Sequence, residues 1–252
     1  EALPEVSSEA SQAGAVSDWG RPQAWENSEG LFQEESSPEE VCVGLPVPLQ
    51  QEIIPERKER TMDICIKKLK PEMAEKFLYY FDHDAFSDHE EWSACYCLQS
   101  HLSREEDENC ILKEERRQKA KDLVRQGIMT GYLIYDGDKI VGWCNAGDKF
   151  DYAPVCANDE FFTDQNEKGR IKVLYCMDIA PGYRGKGIAK SVMERFLTDA
   201  KEEGYLYAEG YPFSDTKRDY QYRGPVRLYE EYGFECYRKQ DWFLIMRKKI
   251  GS

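Results

Sequence analysis

The 252-residue sequence contains no uninterrupted apolar run that approaches the roughly 20 residues needed to cross a bilayer. It has no positively charged, apolar start of the secretory type. It also lacks an excess of positive charge, because 48 acidic side chains against 34 basic ones give a formal net charge of −14. Such a charge disfavours nonspecific binding to nucleic-acid phosphates or to an anionic membrane. We therefore expect a cytoplasmic protein with no nucleic-acid or membrane partner, and a partner that is cationic or an amine.

A disulfide framework and a regular metal motif are also missing. The nine cysteines are an odd set without a repeated spacing, which favours a reducing compartment. The three histidines, His83, His89 and His101, lie near Cys95 and Cys97, so the ligand types for a zinc site are present. Their spacing matches no standard zinc finger, and the two cysteines are one residue apart where redox pairs have two residues between them. The sequence therefore predicts no metal.

The chain divides into two parts of different composition. Residues 1–61 are rich in Glu, Ser, Pro, Ala and Gln, without sustained helical or strand periodicity. Roughly 13 of the 48 acidic residues but only 4 of the 34 basic ones precede Met62, so much of the negative charge belongs to this part. We interpret residues 1–61 as an acidic, disordered tail, with a segment that orders on a partner as the alternative. Residues 62–250 have the patterning of one folded domain.

Strand and helix patterns alternate along the second part. The Asp-Gly pair of the turn 136–138 predicts a hairpin, and residues 170–180 have the β-branched and aromatic content of a buried central strand. The remaining predicted elements follow from periodicity, caps and breakers. They are a strand at 63–69, a helix after Pro71, mostly helical residues 90–126 around an acidic loop near 104–109, a polar loop at 147–169, a helix at 187–203, a strand at 206–209, a short helix from Pro225, and a final strand pair at 234–237 and 242–246. This order predicts an α/β fold with a mixed sheet.

The junction after the central strand carries the clearest chemical signal. A strand that ends in a turn and leads into a helix leaves the first amides of that helix free, and the helix dipole favours an anion there. Gly185 and Gly187 allow a phosphate to approach the backbone closely. The pattern by itself occurs in unrelated chains, so its weight comes from the buried strand before it and the amphipathic helix after it. Positive charge is added by three side chains, which are Arg184, Lys186 and Lys190.

Residues 177–189 resemble the acetyl-CoA motif of the GNAT N-acetyltransferase superfamily, and residues 228–234 are similar to its last helix and strand. The likeness covers about 62–250, and short segments within it are similar to a bacterial subgroup with mostly unassigned substrates. The resemblance implies a mixed, mostly antiparallel central sheet flanked by helices, and acetyl-CoA as the co-substrate without a metal. It implies contacts with the pantetheine arm and the pyrophosphate from Met177, Asp178, Ile179, Arg184, Gly185, Lys186, Gly187, Ile188, Ala189 and Lys190.

The resemblance also implies a reaction, in which an amine of a small molecule or peptide attacks the thioester carbonyl directly. Tyr229 would then protonate the leaving thiolate, and homodimers are common in the family. The amine must lose a proton, and the carboxylates available for it are Glu209 and, on the central strand, Asp178. Glu209 is the candidate base or water-chain member, with a surface or salt-bridged carboxylate as the alternative. Two positions depart from the family pattern, because Val173 stands where a glutamate is usual and Tyr222 where many members have an asparagine.

The sequence also allows two other functional interpretations. In a dinucleotide-binding fold, Gly185 and Gly187 would follow a strand and Glu209 would bind a ribose, but Lys190 replaces the third glycine and too few residues remain for further βα units. The second alternative is a catalytically inert GNAT-like module that binds acyl-CoA as a sensor or interaction platform. The presence of Tyr229 favours an enzyme over that module.

Overall fold

The computed structural model describes residues 62–157, 159–161, 164–217 and 220–251. The predicted tail at residues 1–61 lies outside these ranges. None of the helices within them combines the length and the apolar character that a membrane crossing requires.

Seven strands form one sheet with the order β1-β2-β3-β4-β5-β7-β6. The pair β4 and β5 is parallel, and all other neighbours are antiparallel. The prediction of a mixed, mostly antiparallel sheet is therefore confirmed. The strands are β1 Ile64–Lys68, β2 Gly131–Asp136, β3 Lys139–Asp148, β4 Ile171–Ile179, β5 Tyr207–Gly210, β6 Glu235–Lys239 and β7 Leu244–Lys249.

Helices cover both faces of the sheet. One apolar cluster joins α1 and α3 to Trp143 of β3, and another joins α5 and α6 to Leu174 and Met177 of β4. Neighbouring strand residues point to opposite faces, so these clusters lie on opposite sides of the sheet. The helices are α1 Ala74–His83, α2 Arg104–Asn109, α3 Lys113–Arg125, α4 Ala153–Ala157, α5 Ile188–Glu202 and α6 Val226–Glu231.

The acidic segment that the sequence reading treats as a loop is the helix α2. Its first turn is closed by a capping box, in which the Glu106 amide donates to Ser103 Oγ at 3.3 Å and the Ser103 amide donates to Glu106 Oε2 at 3.0 Å. Three acidic residues at its start also complement the positive end of the helix dipole. The loop prediction was wrong, because the Ser-x-x-Glu pattern of a capping box specifies a helix start in spite of the run of acidic residues.

The polar loop predicted at 147–169 is more structured than its composition indicates. It contains α4 and several short 3-10 turns. Tyr152, Val155 and Phe161 are buried in an apolar cluster with Tyr175 of β4. These apolar positions are spaced irregularly, so periodicity could not identify them.

The central strand β4 separates from its parallel neighbour halfway along its length. It pairs with β5 only from Ile171 opposite Tyr207 to Leu174 opposite Gly210, and then continues alone on that side to Ile179. A register shift on its other side, between Asn145 and Ala146 of β3, adds one residue to β4. Beyond Leu174 the edge of β4 is therefore not paired with β5, and we call the space beside this edge, past the end of β5, the V-shaped opening.

Candidate active site

The turn between β4 and α5 has the geometry of an anion cradle. Gly185 has a φ of 74° and Gly187 a φ of 85°, in the left-handed region that favours glycine. A Cβ added at either position would meet no atom within 4 Å, so the space beside the backbone is open. Among the described residues no backbone partner is found for the amides of residues 185–189. The free amides at the start of a 15-residue helix can therefore bind an anion.

The three cations of this turn differ in their surroundings. Arg184 donates from Nε to the Ile179 carbonyl at 2.8 Å and forms an ion pair with Asp88 at 2.5 Å. Lys190 pairs with Glu231 at 2.7 Å on the surface. The Lys186 Nζ lies 5.4 Å from the centre of the Tyr183 ring, and within the described ranges it makes no salt bridge. Lys186 is therefore the cation that an anion at the helix start can recruit without breaking an ion pair.

A short piece of chain, residues 220–224, lies in the V-shaped opening, and we call it the strap. The Met177 amide of β4 donates to the Tyr222 carbonyl of the strap at 2.6 Å. At its other end the Tyr220 ring packs edge-on to Trp92, with 3.8 Å between the ring centroids, and the Tyr220 hydroxyl contacts His89 Nε2. A backbone amide that the resemblance assigns to the pantetheine arm is thus bonded to the protein itself.

Tyr229 crosses the opening from α6. Its ring lies so close to Gly210, the last residue of β5, that a Cβ at that position would overlap it. Its hydroxyl donates to the Arg223 carbonyl of the strap at 2.6 Å. Burial raises the pKa of Tyr229 above its ordinary value, so the hydroxyl keeps its proton at neutral pH. The side chain can therefore act as a proton donor next to β4.

Asp178 is a buried carboxylic acid that no cation contacts among the described residues. The Tyr80 hydroxyl of α1 donates to its Oδ2 at 2.5 Å. Burial raises the pKa of Asp178 to about 7, while the Tyr80 hydrogen bond and the more distant Arg184 oppose that rise. A carboxylate with a pKa near neutral pH and a place beside Met177 has the properties of a general base. The sequence places Asp178 among the coenzyme contacts and among the candidate bases, whereas it gives no sign of the partner Tyr80.

Glu209, the predicted base, lies in a buried network of ion pairs. Its Oε2 accepts from Lys149 Nζ at 2.9 Å and from the Tyr211 hydroxyl at 3.1 Å, and its Oε1 accepts from Arg247 at 2.5 Å. Both oxygens are therefore engaged, two of the three donors are cations, and the side chain is fully buried. These surroundings match the salt-bridged alternative, and a role as base stays a prediction.

A second polar cluster, which the sequence reading missed, surrounds Asn145 of β3. Asn145 Nδ2 lies 3.2 Å from Cys97 Sγ, 2.7 Å from Ser100 Oγ and 3.1 Å from His101 Nε2, and its Oδ1 accepts from the Tyr152 hydroxyl at 2.9 Å. Burial lowers the pKa of His101 to about 4, so the ring is neutral at pH 7. An asparagine inside an apolar strand pattern is the signal that could have pointed to this cluster.

No group of three or more potential metal ligands was found within the described part of the chain. His83, His89 and His101 thus share no such group there with Cys95 or Cys97, despite their closeness in the sequence.

The open helix start, the separated strands and the tyrosine across them can be compared with known proteins. The model of the "Acetyltransferase (GNAT) family" matches residues 70–234, which is more than half of the chain and includes the turn, the strap and Tyr229. The chain belongs to the acetyltransferase (GNAT) family. Membership supports acyl transfer as the general chemistry of this GNAT domain, and it confirms the resemblance seen in the sequence. Among curated proteins, none matches this chain.

Solved structures with a related fold include further acetyltransferases. The PaiA N-acetyltransferase from Thermoplasma acidophilum, in complex with coenzyme A, is 17% identical with a TM-score of 0.44, and the match covers 75% of this chain and 99% of that chain. A GNAT acetyltransferase from Streptococcus pneumoniae is 14% identical with a TM-score of 0.45, covering 75% and 100%. YncA from Salmonella typhimurium, with acetyl-CoA, is 11% identical with a TM-score of 0.44, covering 75% and 95%. Identities and TM-scores this low do not indicate the substrate of this GNAT protein.

Proposed function

We propose that this GNAT domain is an N-acetyltransferase that moves an acetyl group from acetyl-CoA to an amine of a small molecule or peptide by direct attack. The observation that carries the proposal is the open, amide-lined start of α5, which follows the strand β4 where β4 leaves β5. An anion at the helix start and a thioester in the V-shaped opening would be joined by an extended arm along β4.

The residues around the turn fit the pyrophosphate of the coenzyme. Side chains larger than hydrogen at positions 185 and 187 would occupy the space that a phosphate needs, and both are glycine with open surroundings. The amides of residues 185–189 would donate to the phosphate oxygens, and Lys186 would add a positive charge. Bound acetyl-CoA supplies an activated acyl group as a thioester. The predicted contacts of Met177, Asp178 and Ile179 would lie along its arm.

Two side chains would handle the protons. Asp178 would accept the proton that the attacking amine loses, directly or through a water, because it is ionised above a pKa of about 7. Tyr229 would donate a proton to the leaving sulfur, since its hydroxyl is protonated at neutral pH and is bonded to the strap, whose release would free it. Asp178 thereby takes the role that the sequence reading gave to Glu209, whose oxygens are both bound to cations.

The strap would have to shift before the arm can bind. In this structure the Met177 amide donates to Tyr222 and the Tyr229 hydroxyl donates to Arg223, so both groups are held by the same five residues. Release of the strap would free the backbone donor and the acid together. The main part of the rate would then come from holding amine and thioester in a near-attack geometry.

The test is a titration of acetyl-CoA by calorimetry, followed by thiol-release assays with a panel of amines and peptides. Micromolar binding with amine-dependent thiol release is the expected result. Gly187→Val should weaken binding at least tenfold, whereas Gly204→Val at the other end of α5 should not. The two glycines have nearly the same φ, 85° and 83°, and equally open surroundings, so the backbone strain is matched and only the first blocks the cradle. Equal affinities in the two variants would remove the cradle from coenzyme binding.

A catalytically inert acyl-CoA sensor is the second candidate. The observation in its favour is the strap, which engages both the Met177 amide and the Tyr229 hydroxyl. Coenzyme binding without thiol release from any amine would support the sensor, and absence of binding would contradict both candidates.

A further inference from the structure

Arg223 of the strap is a buried cation for which the described residues supply no counter-charge. Its side chain is 2% exposed and lies inside a box of aromatic rings. The guanidinium carbon is 4.9 Å from the ring centres of both Tyr175 and Trp242 and 5.4 Å from that of Phe213. The Nη2 atom lies 3.5 Å from the Tyr175 hydroxyl. Within the described ranges, Nε and Nη1 have no hydrogen-bond partner.

The other buried cations of the described chain are neutralised. Lys149 pairs with Glu209 at 2.9 Å, and Lys172 pairs with Glu203 at 2.5 Å. No carboxylate forms a salt bridge with Arg223 among the residues that the structure describes. Burial of a guanidinium with unsatisfied N–H groups is costly, and cation–π contacts offset only part of the cost. An arginine kept in this state is set up to receive an anion from a ligand.

The position of Arg223 relative to Tyr229 and to the two faces of the sheet indicates which ligand can supply that anion. Its carbonyl accepts from the Tyr229 hydroxyl, so the residue borders the proposed reaction centre. Its side chain packs on Tyr175, which belongs to the apolar cluster on one face of β4. The helix α5 packs on Met177, which points to the opposite face. The guanidinium therefore lies on the face of the sheet opposite to α5, and this is the face on which the proposed base Asp178 meets Tyr80 of α1.

We propose that Arg223 binds a carboxylate of the acceptor, so that the acceptor is an amine of the amino acid class. This inference rests on the proposed acetyl transfer. Tyr175, Trp242 and Phe213 would hold the plane of the guanidinium when the backbone of the strap shifts. A charge-assisted hydrogen bond from a buried guanidinium to a carboxylate discriminates by about tenfold to a hundredfold against a neutral analogue. A negative overall charge does not oppose such an acceptor, since much of it belongs to residues 1–61.

The experiment uses the full chain with saturating coenzyme A and a panel of free L-amino acids, each beside its own carboxamide. Thermal shift measures binding, and thiol release from acetyl-CoA measures turnover. We expect at least one acid to bind and to be acetylated at least tenfold better than its carboxamide. Arg223→Met should reduce that preference to about one, Arg223→Lys should retain part of it, and Arg227→Met, an exposed arginine on α6, should leave it unchanged.

The outcomes separate this inference from the proposed function. Equal responses to acids and carboxamides, no response to any acid, or a preference that survives Arg223→Met would each overturn the inference. If acids bind with a dependence on Arg223 but no thiol is released, the carboxylate site stands and the acetyltransferase proposal falls. The carboxylate could also belong to the acyl group of the coenzyme, and a titration with succinyl-CoA tests this source. If Arg223→Met binds succinyl-CoA more weakly than the unchanged protein does, but binds acetyl-CoA equally well, the arginine serves the acyl group. That result would overturn the acceptor assignment.

Discussion

Glu209 and Arg223 are both buried charged residues near the end of β5, but they differ in whether oppositely charged side chains surround them. Glu209 is surrounded by Lys149, Arg247 and Tyr211, so its charge is balanced within the fold. Among the described residues, the side chain of Arg223 meets aromatic faces and the Tyr175 hydroxyl, and no carboxylate. Asp178, on β4, resembles Arg223 in this respect, since among the described residues its carboxylate accepts a hydrogen bond from the Tyr80 hydroxyl and forms no salt bridge. We propose that the balanced charge of Glu209 serves the fold, whereas the unbalanced charges of Arg223 and Asp178 serve a ligand and a proton.

The largest loss of stability is expected from a substitution of Glu209. Glu209→Gln removes the carboxylate charge that faces the buried Lys149, while the half-buried Arg247 keeps its pair with Glu167. Because an ion pair in the core loses one partner, we expect the free energy of unfolding to fall by about 3–5 kcal/mol. Urea denaturation measures the change. Glu231→Gln is the control, because its pair with Lys190 is about half exposed and such pairs contribute about 0–1 kcal/mol. A loss at Glu209 no larger than that of the control would show that the network is not structural.

Asp178 is tested through the pH dependence of turnover. Its pKa is raised to about 7, so the carboxylate is protonated below that pH and kcat/KM should rise as the pH increases through about 7. Asp178→Asn should remove this limb and lower turnover by about 10²-fold, while acetyl-CoA affinity is retained. The Tyr80 hydrogen bond favours the ionised form, so Tyr80→Phe should move the limb to higher pH. A limb that stays in place in Asp178→Asn would assign the titration to another group.

Tyr229 is expected to have a smaller effect. A thiol has an ordinary pKa near 8.5, so its thiolate is a fair leaving group and solvent can partly replace the acid. We expect Tyr229→Phe to lower turnover by about tenfold and to leave coenzyme affinity within about twofold, measured by thiol release and calorimetry. Unchanged turnover would exclude the hydroxyl from the reaction.

The smallest effect on stability should come from a substitution of Arg223, in contrast to Glu209. Arg223→Met removes an unbalanced buried charge while keeping an apolar stem, so we expect the free energy of unfolding to change by less than about 1 kcal/mol in either direction. Thermal and urea unfolding measure it beside Glu209→Gln. A loss of similar size in both variants would show that Arg223 stabilises the fold and would erase the contrast.

The parts of the fold that local chemistry encodes could be predicted from the sequence. The Asp-Gly turn marks the β2–β3 hairpin, apolar content marks β4, and glycine with cations marks the start of α5. The helix α2 was missed although its Ser103 and Glu106 form a readable capping box. The fold class followed from the order of elements together with the resemblance.

The tertiary partners of the site could not be predicted in the same way. Glu209 meets Lys149 from a residue 60 positions away, and Tyr80 meets Asp178 across 98 positions. Neither pair has a local pattern, because a salt bridge or a hydrogen bond between distant elements depends on register and packing. The burial of Arg223 was equally hidden, since its neighbours Gly224 and Pro225 indicate a turn and turns are ordinarily exposed.

The bond between Met177 and Tyr222 has a thermodynamic consequence for the proposed enzyme. A molecule that must release its own strap before the coenzyme arm can bind exists as two populations, closed and open. The affinity that a titration reports is then the intrinsic affinity multiplied by the open fraction. The five residues of the strap would in this way set the coenzyme concentration at which the protein works.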